Sequence, residues 1–336
     1  EPIGAGTESD RPTQMMAGPR EEAQPGSELL RTLLKTLVSA VLIYWLLRRI
    51  GLDSILLYFK QASWPWLAAS FAVFALSNVL GALQWHMLLA NRGIDLALGH
   101  SVWLYHIGLF FNNFLLGNVG GDAFRIYDIR RLSNRTDAAF STVFLDRFVG
   151  FFALSTLALA VAALMVSRLL ESSALFTILF IFCGWLLAIL FLFYERFAQT
   201  FGWLFRLMLP PPLHVKAKAF YYSLHAFRHE RKLLTRVFFL SLLIQTLRIL
   251  THWCAARSLG VQVSAGYFFL FIPIVALLAS LPISLGGLGV REQSAAALFA
   301  HLGVPSGQTV AFELLAYLVG ILATAPGGLL FVLRKK

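Results

Sequence analysis

Charged residues are scarce in this sequence. Asp, Glu, Lys and Arg make up 13% of its 336 residues, whereas 58% of the residues are hydrophobic. A soluble domain usually carries about 25% charged residues. The composition therefore excludes an ordinary soluble protein and predicts an integral membrane protein, built as one bundle of helical spans.

Cysteine and the familiar catalytic motifs are also rare or missing. The two cysteines, Cys183 and Cys254, lie far apart in apolar runs without metal-ligand spacing, so we interpret them as small buried residues. The sequence contains no His-Glu-x-x-His, no Gly-x-Ser-x-Gly, no Walker loop and no Asp series spaced for Mg²⁺. We therefore expect no catalytic residues, no metal, no cofactor and no enzyme activity.

Acidic residues are outnumbered by basic ones, 17 to 28, which gives a formal net charge of +11. The basic residues fall in a few loops between apolar runs, where they follow the positive-inside bias and contact anionic lipid. We therefore expect no nucleic-acid partner. The basic regions 122–147 and 195–236 and the C-terminus are predicted to lie in the cytoplasm, which places the N-terminal tail outside.

The chain divides into a tail and one membrane domain. Residues 1–28 are rich in Glu, Pro, Gly and Ser, which predicts a disordered acidic tail. Residues 29–336 predict a single transmembrane domain, all-α and polytopic, because about eight runs approach the ~20 apolar residues that a span needs. These runs are 29–47, 66–90, 99–116, 141–166, 173–194, 237–256, 266–282 and 308–332.

Two glycine-rich stretches, 117–125 and 281–292, interrupt this pattern. In each, an apolar run ends at a Gly-Gly pair, and a helix then begins with an acidic residue and a nearby Arg. A helix broken at membrane depth leaves backbone groups that need protein or a water-filled cavity around them. The stretches predict two broken, re-entrant helices that face each other, the second continuing as a half-helix over 292–303.

The two Gly-Gly pairs lie 166 residues apart, about half the chain. Interrupted helices at corresponding positions of two halves indicate a transport site, so the spacing predicts a two-half pseudo-repeat. The free N–H groups at the helix starts, together with Arg125 and Arg291, suit an anion such as phosphate. A structural interpretation stays open, in which Asp122 and Glu292 cap their helices and the arginines bridge to those acids.

Other ionisable residues lie inside apolar runs. Asp146 and Arg147 are adjacent in the fourth run, and Arg248 lies near the middle of the sixth, with Gln245 and His252 on the same helix face. A lone Arg at that depth is costly unless it meets an acid or a wet cavity. Its candidate partners are Asp146, Glu292 and Glu313.

Three motifs occur in order: GGDAFRIY at 120–127, DRFVG at 146–150 and PISLGGLGVRE at 282–292. Together they resemble the flippase-like family, also called the lysylphosphatidylglycerol synthase transmembrane region family, over residues 30–334. The family often has Pro-Gly before the first glycine pair, whereas Leu116 and Gly117 stand here. In the multiple peptide resistance factor of this family, this region moves an aminoacylated phospholipid between leaflets, and a separate soluble domain carries the synthase activity.

The resemblance implies a polytopic fold with re-entrant glycine loops and a head-group site. The site residues that it implies are Gly120, Gly121, Asp122, Arg125, Asp146, Arg147, Pro282, Gly286, Gly287, Gly289, Arg291 and Glu292. The charges inside apolar runs add Arg248 and Glu313. The sequence offers no stretch for the synthase domain, so we expect no synthase activity.

The favoured hypothesis is a lipid translocase in the cytoplasmic membrane of a bacterium or archaeon. It would move an anionic or aminoacylated phospholipid, or a polyprenyl-linked lipid, through a midplane cavity lined by the two glycine loops. This hypothesis is compatible with a homo-oligomer or with a lipid-synthesis enzyme as a protein partner. The alternative is a regulatory or scaffold subunit of a lipid or cell-envelope pathway. An enzyme acting on a lipid phosphate is less favoured, because no catalytic motif is present.

Overall fold

The computed structural model describes residues 60–114, 120–165, 173–194, 220–281, 284 and 286–333. The predicted tail, the first predicted span and most of the basic region before 220 lie outside this part of the chain. The part described contains helices and no strand. Its α-helices are α1 (Trp64–Asn91), α2 (Leu98–Phe114), α3 (Gly120–Ser133), α4 (Thr136–Leu164), α5 (Ser173–Phe193), α6 (Arg231–Ser258), α7 (Ala265–Ser280), α8 (Val290–Ala300) and α9 (Ser306–Leu333).

Four of the described helices, α1, α4, α6 and α9, are long and apolar enough to cross a membrane, with 28 or 29 residues each. At 1.5 Å per residue they extend about 42 Å, beyond the ~30 Å of a hydrocarbon core. Shorter apolar segments lie at Ile178–Phe191 in α5 and Ala265–Ser280, which is α7. The structure therefore confirms an all-α, polytopic membrane protein.

Two short helix hairpins stand beside the long helices. The first joins α2 to α3, with 17 and 14 residues, and the second joins α7 to α8, with 16 and 11 residues. Each arm is about 16–26 Å long, less than a full crossing, and the two arms of each hairpin pack together. The third and seventh predicted spans are thus arms of hairpins, because the next helix along the chain packs back against each of them.

Helix α6 lies at the centre of the described bundle, packed against α1, α4, α7 and α9. Beyond it, the rings of Phe268, Phe299 and Phe312 meet with centroids 4.8–5.7 Å apart. All three rings are fully buried, so they fasten α7, α8 and α9 to each other. The second hairpin is therefore anchored in the core rather than attached at its edge.

Several helices extend beyond the apolar runs that predict them. α4 begins at Thr136 rather than 141, and α6 begins at Arg231 rather than 237. Hydropathy marks only the part of a helix that is apolar, whereas the hydrogen-bonded helix continues into the polar residues at its end. The predicted half-helix 292–303 is α8, Val290–Ala300.

Gly121 allows α3 to cross α2 at very close range. A Cβ atom at this position would overlap the carbonyl oxygen of Gly108 and lie 2.7 Å from Oδ1 of Asn112. The same Oδ1 accepts a hydrogen bond from the Gly121 N–H at 2.8 Å. The first hairpin therefore depends on a glycine at its inner crossing point.

We expect Gly121→Ala to lower the free energy of unfolding by about 1–3 kcal/mol, because the added methyl group forces the two backbones apart. Thermal unfolding of purified protein in detergent measures the change. Gly99→Ala is the matched control in α2, since a Cβ there meets no atom within 4 Å. Equal melting temperatures for the two variants would contradict the close crossing.

Candidate functional site

Four charged residues meet where α3 packs against α4. Arg125 donates hydrogen bonds from Nη2 to Oδ2 of Asp146 at 2.9 Å and from Nη1 to Oδ1 of Asp122 at 3.3 Å. Arg147 donates two hydrogen bonds to Asp122, from Nε at 2.7 Å and from Nη2 at 3.0 Å. Two carboxylates thus face two guanidinium groups, and the cluster is electrically neutral.

Arg125 is enclosed by protein rather than open to a ligand. Its side chain is 2% exposed, and its guanidinium carbon lies 4.2 Å from the ring centroid of Trp85 and 4.6 Å from that of Tyr105. Aromatic faces attract a guanidinium group, and the attraction is stronger where water is excluded. For Arg125 the structural interpretation therefore holds, with Asp146 on α4 as a second partner besides Asp122.

The cluster continues into α1 and α6 through uncharged side chains. Oδ1 of Asp146 accepts a hydrogen bond from Nε2 of Gln84 at 2.9 Å, and Oε1 of Gln84 accepts one from the Ser241 hydroxyl at 2.6 Å. All three side chains are buried. Both oxygens of Asp146 are thus engaged, and a buried network whose members have partners holds its helices in one arrangement.

In the second glycine loop, the side chains of the following helix bond to the loop's own backbone. Gly286, Gly287 and Gly289 have φ values of 55°, 77° and 82°, which glycine adopts without the steric cost that a side chain brings. Nη2 of Arg291 donates a hydrogen bond to the Gly286 carbonyl at 2.8 Å, and Oε2 of Glu292 accepts one from the Gly289 N–H at 2.6 Å. Glu292 therefore caps α8, as the structural interpretation predicts. Arg291 does not form the predicted bridge to Glu292 and bonds to the loop backbone instead.

The two hairpins meet near their tips. The Asn113 carbonyl, at the end of α2, would lie 2.8 Å from a Cβ on Gly286, and it accepts a hydrogen bond from the Tyr317 hydroxyl at 2.9 Å. Nδ2 of Asn113 donates to the Thr324 hydroxyl on α9 at 2.7 Å. The guanidinium group of Arg291 lies 4.9 Å from the Tyr317 ring centroid. The end of α2 and the second loop therefore face each other, joined through α9.

A cavity of about 200 Å³ opens between α1, α4, α6 and α7. Its wall combines apolar groups such as Phe74 and Phe151 with a polar side. The polar side includes Gln84, Asp146, Arg147, Gln245, Arg248 and His252. Among the residues that the structure describes, the glycines of the two loops do not line this wall.

Arg248 carries an unmatched positive charge at this cavity. It is half-buried near the middle of α6, and within the described residues it forms no ion pair, while its buried Nε has no hydrogen-bond partner. Each predicted partner bonds to another group. Asp146 bonds to Arg125, Glu292 to the Gly289 backbone, and Glu313 to His252.

The chain is matched by one family model, described as the lysylphosphatidylglycerol synthase transmembrane region, over residues 32–328. The chain belongs to this family. The match spans nearly all of the predicted membrane domain, so the resemblance carried by the three motifs is confirmed. No curated protein matches the chain. As a synthase transmembrane region, the protein is a membrane protein of lipid metabolism.

The predicted site residues of this family member lie in three groups, and the first and third share the cavity wall through Asp146, Arg147 and Arg248. The first group is the neutral cluster of Asp122, Arg125, Asp146 and Arg147, with Gly120 and Gly121 at the start of α3. The second is the loop with Gly286, Gly287, Gly289, Arg291 and Glu292. The third is Arg248 and Glu313, on α6 and α9. Pro282 lies outside the described residues.

Several residues around these groups are not singled out by the sequence. Trp85, Tyr105 and Tyr317 contact the arginines, and Ser241 bonds to Gln84, yet each is an ordinary residue within an apolar run. Periodicity cannot separate an aromatic ring that faces lipid from one that stacks on a guanidinium group. No signal in a single sequence could have found them.

Proposed function

We propose that the protein is a lipid translocase, which moves a phospholipid or another lipid with an anionic head group between the leaflets. The observation that carries this proposal is Arg248, which lines a cavity inside an apolar bundle and has no carboxylate partner among the residues that the structure describes. A cation at such depth is costly unless water or an anionic ligand reaches it. A lipid phosphate would supply the missing negative charge and accept paired hydrogen bonds from the guanidinium group.

The size and surroundings of the cavity support the same proposal. Its volume of about 200 Å³ lies below the ~300–1,000 Å³ of pockets that enclose a whole small ligand. A head group would therefore enter while the acyl chains stay in the bilayer. The neutral Asp122 and Arg147 pair would compete little for the ligand, since its charges already satisfy each other.

The two hairpins would provide the moving parts. They are short, and they meet where Asn113 contacts Gly286. In many transporters one structural repeat moves against the other around a site formed by interrupted helices, and loops that close over a site often control access to it. In this proposal their movement exposes the cavity first to one leaflet and then to the other. The basic loops face the cytoplasm of a bacterial or archaeal cell.

Leaflet transfer in proteoliposomes tests the proposal. Purified protein is reconstituted with acyl-chain-labelled phosphatidylglycerol, lysyl-phosphatidylglycerol or phosphatidylethanolamine, or with a labelled polyprenyl phosphate. A membrane-impermeant quencher then reports how much label reaches the inner leaflet. We expect at least one lipid to be transferred faster than in protein-free vesicles. Folded protein that transfers none of them would overturn the proposal and favour the regulatory or scaffold role.

A further inference from the structure

His252 and Glu313 form a hydrogen-bonded pair beside the cavity, in which Glu313 is buried and His252 half-buried. Nδ1 of His252 lies 3.0 Å from Oε1 of Glu313, and the pair joins α6 to α9. Glu313 has no exposed surface, whereas His252 keeps 20% of its side chain exposed and contributes to the cavity wall. Oε2 of Glu313 is buried with no hydrogen-bond partner among the described residues. One member is thus sealed in protein and the other faces the cavity.

One proton decides the net charge of this pair. A buried carboxylate is costly when it has no positive partner, and the described residues place no Arg or Lys within ion-pair distance of Glu313. Without an added proton, a neutral imidazole and an ionised carboxylate leave one negative charge in the bundle. One added proton, held on either member, makes the pair neutral overall. No other atom or electron has to move.

The pair is placed to sense charge in the cavity. His252 follows Arg248 by one helical turn on α6, and both line the same cavity. An ionised, proton-free pair offsets the charge of Arg248 and so weakens its attraction for an anion. Protonation removes that negative charge and leaves Arg248 to attract the ligand. Binding of an anion and binding of the proton should therefore favour each other, and this coupling is reciprocal.

Other ionisable groups near these helices are already engaged. Glu292 on α8 accepts a hydrogen bond from the Gly289 N–H. Five further ionisable residues in the packed helices have hydrogen-bond partners of their own. They are Asp146 and Arg147 on α4, Arg291 on α8, His86 on α1 and His106 on α2.

We propose that His252 and Glu313 form a proton-binding site, and that one proton binds and crosses together with each anionic head group. This inference rests on the proposed translocase function. It makes the protein a proton-coupled carrier rather than a passive scramblase. The proton would bind when the head group enters from one side and would leave when it departs to the other.

Calorimetry tests the coupling without transport. Short-chain dihexanoyl phosphatidylglycerol is titrated into detergent-solubilised protein in two buffers of different ionisation enthalpy, over a range of pH. We expect net proton uptake on binding, approaching about one proton per lipid at its maximum. Glu313→Gln and His252→Gln should each bind the lipid with little or no uptake, whereas His106→Gln, a control histidine on α2, should behave as the wild type. Lipid binding without proton uptake by the wild type would overturn the inference.

A pH gradient across proteoliposomes tests the same coupling in transport. With one proton per lipid, each unit of gradient shifts the steady-state leaflet ratio of phosphatidylglycerol by up to about tenfold. Glu313→Gln should abolish this shift. If the wild type transfers lipid but the leaflet ratio does not depend on the gradient, the proton coupling is contradicted and the translocase proposal is not. If no tested lipid binds or crosses, the translocase fails and the coupling fails with it.

Discussion

Replacing Arg248 with Gln is expected to reduce leaflet transfer about 10- to 100-fold while the protein remains folded. Arg248 forms no ion pair among the described residues, so its removal leaves no carboxylate without a partner. A hydrogen bond to a charged group contributes about 1.5–3 kcal/mol, and each 1.4 kcal/mol corresponds to a factor of about ten. The measurement is the initial rate in the proteoliposome assay, with the fold checked by thermal unfolding.

Arg257→Gln is the matched control for Arg248. It removes the same charge from the same helix, but Arg257 bonds to Gln262 and lies over Trp66 and Trp253 at the end of α6. We expect this variant to transfer lipid at close to the wild-type rate. If Arg248→Gln also did so, the cavity could not be the route of an anionic head group.

Replacing Arg125 with Ala is expected to lower the free energy of unfolding by about 3–5 kcal/mol. The change removes the only described cationic partner of Asp146 and one partner of Asp122, so negative charge is left buried without compensation. It also empties the space between Trp85 and Tyr105. Thermal or denaturant unfolding in detergent measures the loss.

Two further variants separate the charge effect from simple loss of bulk. Arg130→Ala removes an exposed arginine from the same helix and should change stability by less than about 0.5 kcal/mol. Adding Asp146→Asn to Arg125→Ala should recover part of the loss, because the neutral amide needs no cation. A double variant no more stable than Arg125→Ala would contradict the role of the buried charge.

The glycine stretches show how much of the fold a single sequence can predict. Their Gly-Gly pairs and following charges predict two helix breaks, and the structure has a short hairpin at each. The sequence does not reveal that Gly121 serves a close helix crossing whereas Gly286 serves a turn with positive φ. Gly121 is helical and crosses the Gly108 backbone, whereas Gly286 combines its positive φ with a close approach to the Asn113 carbonyl.

The charged residues show more clearly what a single sequence cannot predict. Arg125 and Arg248 are both arginines in apolar surroundings, and the sequence treats them alike as candidate ligands for an anion. In the structure Arg125 lies between two carboxylates and two aromatic rings, whereas Arg248 lines a cavity and forms no ion pair with a described carboxylate. Whether a charged side chain is paired depends on residues that are distant in the chain, so it cannot be predicted from residue spacing along one helix.

By itself, the sequence determined the membrane environment, the helical class, the breaks at the two glycine stretches and the family. Each follows from local composition or a contiguous motif, because the bilayer demands long apolar helices and glycine permits them to break. Only the tertiary structure decided which charges cancel, where the cavity lies and that His252 meets Glu313. Those features arise when α1, α4, α6, α7 and α9 pack together, since a buried charge is stable only beside the group that compensates it.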